Sequence, residues 1–185
     1  MDLERYTEEA LRQLTALTAI PSPTGMTREA EDYVLAALGG WGYQPRRTPK
    51  GTVICPLGGS GHPLLISAHL DTLGAMVRAI KPTGRLRYTL IGGFNDNAIE
   101  NENVLIHTRS GRTYSGTVQS IHASRHVWAD RTKEERSDQT LEVVIDEECA
   151  SGADVEALGI RPGDLISFDP RTVITPSGYV KTIKG

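Results

Sequence analysis

His69 and Asp71 stand two apart in Ser67-Ala68-His69-Leu70-Asp71-Thr72, where a short apolar run ends in polar residues. A strand turns successive side chains to opposite sides, so residues two apart share one side. A neutral imidazole can ligate a metal through one nitrogen while a carboxylate holds the other nitrogen or its surroundings. The same pair also fits a hydrogen-bonded strand terminus, and a bare His-x-Asp leaves both readings open. The remaining candidates read as structural or solvated. His62, His107, His122 and His126 lack the Glu-x-x-His context of a helical zinc site, although the last two have helical spacing. Asp146-Glu147-Glu148 lacks the alternating oxygen ligands and turning glycine of a calcium loop and reads as a solvated strand end. The run Arg131-Thr132-Lys133-Glu134-Glu135-Arg136 mixes signs, as a solvent-facing loop does. Gly92-Gly93 is followed by neither Lys-Ser/Thr nor a helix start, which argues against a phosphate loop.

The elements that must position His69 and Asp71 begin with residues 63–68, an apolar run between turn signals. That pattern predicts a strand buried on both faces, and the C-terminal end of such a strand is where open α/β sheets place their ligands. Upstream, residues 7–20 predict an amphipathic helix capped by Thr7, with Ala10, Leu11, Leu14 and Leu17 on one face. Pro21 and Pro23 stop it. A second helix starts at Thr27, with Ala30, Tyr33, Val34, Ala37 and Leu38 inward, and ends at Gly39-Gly40. Two short strands, 44–48 and 52–56, flank the Pro49-Lys50-Gly51 turn. From Leu73 the helical period disappears. Short β-type runs follow at 75–80, 86–90, 104–108, 113–119, 141–145 and 165–169, with one short helix near 154–158. Strands so closely spaced predict a small barrel or sandwich that interrupts an α/β segment after about residue 72.

Composition narrows the function classes. A net charge of -3 offers no basic footprint for nucleic acid. No apolar run reaches the roughly 18 residues of a membrane-spanning helix. Met1-Asp2-Leu3-Glu4-Arg5 lacks the basic start and apolar core of a signal peptide. Cys55 and Cys149 cannot build a disulfide framework and read as reduced, partly buried thiols of a cytoplasmic protein.

Ile20-Pro21-Ser22-Pro23-Thr24-Gly25 followed by Ala68-His69-Leu70-Asp71-Thr72 resembles the opening of the co-catalytic zinc peptidases. Within that group the chain resembles the tetrahedral glutamyl/leucyl aminopeptidases, metallopeptidase family forty-two. Leu90-Ile91-Gly92-Gly93-Phe94 is similar to the family's glycine pair. Glu102-Asn103-Val104, running into Tyr114-Ser115-Gly116-Thr117-Val118, is similar to its paired insert strands. Ser124-Arg125-His126-Val127 is similar to its histidine-containing loop. Ala157-Leu158-Gly159-Ile160-Arg161-Pro162-Gly163-Asp164 with Ser167-Phe168-Asp169-Pro170 is similar to its signature.

The resemblance implies the start of a catalytic α/β domain over 1–72, an inserted β-barrel assembly domain over 73–176, and a return towards the catalytic domain over 177–185. It implies His69 as a ligand of one of two divalent ions, zinc or cobalt, and Asp71 as the group that orients that ligand. Its reaction is removal of N-terminal residues from peptides, and its insert builds dimers and a dodecamer. The family's further ligands and general base lie beyond a segment like Gly178-Tyr179-Val180-Lys181-Thr182. At Ile183-Lys184-Gly185 this sequence departs from that pattern, so the expectation is an N-terminal half that is inactive alone. The rival expectation is a non-catalytic dimerisation or peptide-interaction module.

Overall fold

Asp2, not Thr7, starts the first helix. Its carboxylate accepts the Arg5 amide at 3.1 Å, so α1 runs over Leu3–Ala19 in the computed structural model, which describes residues 2–183. Thr7 is absorbed into the helix, its hydroxyl donating to the Leu3 carbonyl at 2.8 Å. Lys184 and Gly185, the last residues of the expected return to the catalytic layer, lie outside the described residues. Ile20 is extended, as a residue before proline should be, and α2 follows over Arg28–Gly40. The Arg47 guanidinium pairs with Glu31 at 2.7 Å and with Asp32, which ties α2 to the hairpin of β1 (Arg46–Arg47) and β2 (Val53–Ile54). The Tyr33 hydroxyl reaches α1 by donating to Gln13 at 2.8 Å.

Residues 63–68 depart furthest from expectation. They form no strand, and Leu64, Leu65 and Ile66 are 86%, 86% and 80% exposed. An apolar strand of this kind holds only when sheet neighbours take its amide and carbonyl groups and layers cover both faces. The described residues supply neither. The expected inner face of α1 is open for the same reason. Ala10 and Leu14 are exposed, and Thr18 is the helix's buried residue.

The expected barrel is closed. Strands β3 (Gly74–Ile80), β4 (Leu86–Ile91), β5 (Asn103–His107), β6 (Thr113–Ser120), β7 (Leu141–Ile145) and β8 (Leu165–Phe168) pair antiparallel in the cyclic order β3-β4-β7-β6-β5-β8. Alternation along each strand sends Val77, Leu86, Val104, Ile106, Val118, Val143 and Ile166 inward, each at most 1% exposed. Helix α3 (Gly152–Leu158) packs Val155 into this core. A reciprocal cap starts it: the Ser151 hydroxyl accepts the Asp154 amide, and the Asp154 carboxylate accepts the Ser151 amide. Gly159 ends it at φ 91°, a left-handed turn that glycine adopts without strain. The loop between β6 and β7 is less solvated than its mixed charges imply. Arg136 folds back to pair with Glu100 at 2.7 Å, both side chains largely covered, and His122 bonds Glu134 at 2.8 Å while stacking on Trp128.

Beyond the barrel, β9 (Val173–Ile174) and β10 (Val180–Lys181) form a separate hairpin. Thr172 beside it shares a 2.9 Å hydrogen bond with Thr18, so the end of the described chain lies against α1, where the chain began. No described helix is long and apolar enough to cross a membrane.

Candidate functional site

The two segments that open the chain's chemistry meet. Pro21 and Pro23 fix their own φ angles and hold residues 20–25 as an irregular loop. Its Ser22, almost wholly buried, presents its carbonyl to the Thr72 amide at 2.8 Å, and Pro23 and Thr72 form an isolated parallel bridge. The Ser22 and Thr72 hydroxyls lie 3.3 Å apart. The Thr24 hydroxyl donates to the Asp71 carboxylate at 2.6 Å. Gly74, where the barrel begins, makes this junction sterically possible. A Cβ there would fall 2.4 Å from Pro23 Cβ and 2.9 Å from the Ile166 carbonyl oxygen.

His69 projects from this clamp with its side chain 74% exposed. Its Nδ1 lies 2.8 Å from the backbone carbonyl of Asp71 and 3.4 Å from the Asp71 carboxylate. A carbonyl only accepts, so Nδ1 carries the proton, and the tautomer this contact selects is the one with its lone pair on Nε2. That is the state in which an imidazole ligates a metal, and an oxygen acceptor on the other nitrogen is the usual means of fixing it. His69 and Asp71 are therefore brought together, though by a turn of irregular backbone and not by strand alternation. The orienting contact comes mainly from the main chain of Asp71. Its carboxylate is turned towards Thr24, a residue to which sequence reasoning gave no role. The only signal for it was its place in the Pro-Ser-Pro-Thr-Gly run.

The other histidines sit elsewhere. His107 on β5 bonds the Ser167 hydroxyl at 2.8 Å, His122 is held by Glu134 and Trp128, and His62 and His126 are exposed in loops. Among the described residues no group of three or more His, Cys, Asp or Glu side chains could hold a metal ion. Asp146, Glu147 and Glu148 are exposed at the end of β7.

The signature stretch turns out to build the barrel. The Gly163 amide donates to the Val77 carbonyl at 2.8 Å, and the Val77 amide donates to the Asp164 carbonyl at 2.9 Å. The buried Asp164 carboxylate accepts the Arg161 amide at 2.8 Å. Gly92 sits at φ 102° with Leu73 against it, where a Cβ would meet the Leu73 side chain at 2.8 Å.

A sequence model described as peptidase M42, glutamyl aminopeptidase, matches residues 51–184. The chain belongs to this family. YhfE of Bacillus subtilis (strain 168) is 45% identical over 181 residues, which are 96% of this chain and 51% of YhfE. A TET aminopeptidase from the marine sediment archaeon Thaumarchaeota archaeon SCGC AB-539-E09 superposes with a TM-score of 0.79 at 20% identity, covering 92% of this chain and 47% of that one. The Pyrococcus horikoshii TET1 peptidase, described as assembling into a tetrahedron or a large octahedral shell, superposes with a TM-score of 0.75 at 22% identity over 91% of this chain and 49% of that one. At such identities the superpositions speak for the fold. The chain spans about half the length of the curated relatives it matches.

Proposed function

We propose that this chain is the N-terminal half of a metal-dependent aminopeptidase that removes N-terminal residues from peptides. The observation that carries the reading is His69 in a family M42 chain, with Nδ1 held by a carbonyl and Nε2 presented to an open surface. His69 would ligate one of two divalent ions, zinc or cobalt, and Asp71 would orient it. When bound, such ions supply a Lewis acid for the scissile carbonyl and a water acidified towards neutral pH. The chain's own part is to hold the imidazole at Nδ1, leave Nε2 facing outward, and anchor Asp71 through Thr24 and the Ser22–Thr72 hydrogen bond.

A catalytic dinuclear site needs several protein ligands and a positioned base. With one imidazole offered, this chain alone binds metal weakly and cleaves nothing. Cys55 and Cys149, both free, suit the cytoplasmic setting we assign it. The test is release of a chromophore from amino-acid anilides with excess cobalt or zinc. The mass-verified chain should be inactive. A longer chain carrying the other half of the family's length should be active, and His69→Ala in it should abolish turnover while the fold survives. Turnover by this chain alone that survives His69→Ala would overturn the reading.

A second reading, a non-catalytic module that self-associates or holds peptides through the barrel, is favoured by the barrel's closure and continuous core. The anilide assay on the longer chain separates the two, because a module of this kind cleaves nothing even when the other half of the family's length is present.

A further inference from the structure

Among the described residues two that are not glycine hold a left-handed backbone, Asn101 at φ 70° and Arg171 at φ 44°. Asparagine enters that region readily. An arginine there is strained, and such strain persists only where the surroundings enforce it. Both positions belong to one ion pair: Asn101 precedes Glu102, whose carboxylate holds the Arg171 guanidinium. We propose that this pair is a latch between the barrel and the helical layer, and that through it the barrel positions the loop that clamps Asp71 and His69.

Glu102 supplies the reason for the strain. Its side chain is 12% exposed, and its Oε2 has no hydrogen-bond partner among the described residues. A covered carboxylate stripped of its cation is strongly destabilising, so Arg171 is drawn in against its own backbone preference. The barrel fixes Glu102 in place: the Asn101 amide donates to the Val118 carbonyl at 2.8 Å, and the Val118 amide donates to the Glu102 carbonyl at 3.0 Å. Arg171 lies on the crossing that leaves β8. There the Asp169 amide donates to the Asn103 carbonyl at 2.9 Å, and the Asp169 carboxylate accepts the Arg171 amide at 3.1 Å. One residue further, Thr172 meets Thr18 of α1 at 2.9 Å. Thr18 stands four residues before Ser22, whose carbonyl takes the Thr72 amide and so closes the clamp beside Asp71. The sign of φ at Arg171 sets the direction in which the chain leaves the barrel. Relaxed to an ordinary negative φ, it would carry Thr172 away from Thr18. The other crossing, at Gly74, is packed on Pro23 and acts as the pivot.

The experiment uses the whole chain without metal. Electron–electron resonance between spin labels at Glu8→Cys on α1 and Arg112→Cys on the barrel, in a Cys55→Ser, Cys149→Ser background, reads the placement of the two layers. The native pair should give one narrow distance distribution. Glu102→Gln and Arg171→Ala should each broaden it about twofold and speed hydrogen exchange of the Thr72 amide about fivefold. Arg171 is half-exposed, so its alanine variant keeps the barrel's melting temperature and stands in if Glu102→Gln fails to fold. Adding Arg171→Gly to Glu102→Gln should restore the narrow distribution, because glycine takes a positive φ without strain. A distribution that stays narrow in Arg171→Ala overturns the latch, and so does a double variant as broad as the single. Unchanged exchange at Thr72 beside a broadened distribution overturns the positioning of the clamp loop by the barrel.

Discussion

Leu86 and Leu65 are the same residue type in opposite environments, and truncating each to alanine tests the architecture directly. Leu86 is fully buried at the register point where β4 meets β7 opposite Val143. Leu86→Ala removes three carbons from a packed core and leaves a cavity there, a change that costs about 3–5 kcal/mol. In a domain of roughly 100 residues each kcal/mol shifts the melting temperature by about 4–8 °C, so the barrel should melt at least about 12 °C lower. Leu65 is 86% exposed, so Leu65→Ala should change stability by less than about 0.5 kcal/mol. Urea unfolding followed by far-ultraviolet circular dichroism measures both. Leu86→Ala should lower the midpoint with an unchanged slope, and Leu65→Ala should leave the curve in place. A cost above about 1 kcal/mol for Leu65→Ala would refute the reasoning, because such a loss requires a packed side chain.

In a longer, metal-binding chain, Thr24→Val should weaken cobalt affinity by about tenfold, since it removes the donor that anchors Asp71 beside the ligand; titration calorimetry reads it. Gly74→Ala should destabilise the junction between the 20–25 loop and the barrel, because the new methyl overlaps Pro23; protease sensitivity near residue 22 should rise before the barrel melts. The Asp154 carboxylate is held below its usual range by the Ser151 hydroxyl and the Ser151 amide. With the folded value depressed, the stabilisation is complete above the ordinary carboxylate range and lost as pH falls through the folded value. Acid melts of Asp154→Asn should therefore lack the part of the pH dependence that the native chain shows below that range.

The barrel was readable because its information is local. Strand alternation acts within a few residues, and the observed strands match the expected runs within one or two positions. The first helix was misjudged at its start because a capping aspartate stood five residues before the threonine that looked like one. Closure as a barrel, and not a sandwich, came from the pairing of β3 with β8, residues about 90 apart in sequence. Residues 63–68 show the converse. Their apolar run marks a central strand, yet a strand is a property of its neighbours, and none of the described residues provides them. The site divides in the same way. Sequence alone determined that His69 and Asp71 sit together where an apolar run ends, because two residues so close cannot be far apart in space. Only the tertiary structure decided that the Asp71 main chain fixes the imidazole, that its carboxylate answers to Thr24, and that Ser22 clamps Thr72. The last two contacts join positions about fifty residues apart, so the folding of the chain between them sets the distance, and the first depends on the irregular backbone that replaces the expected strand.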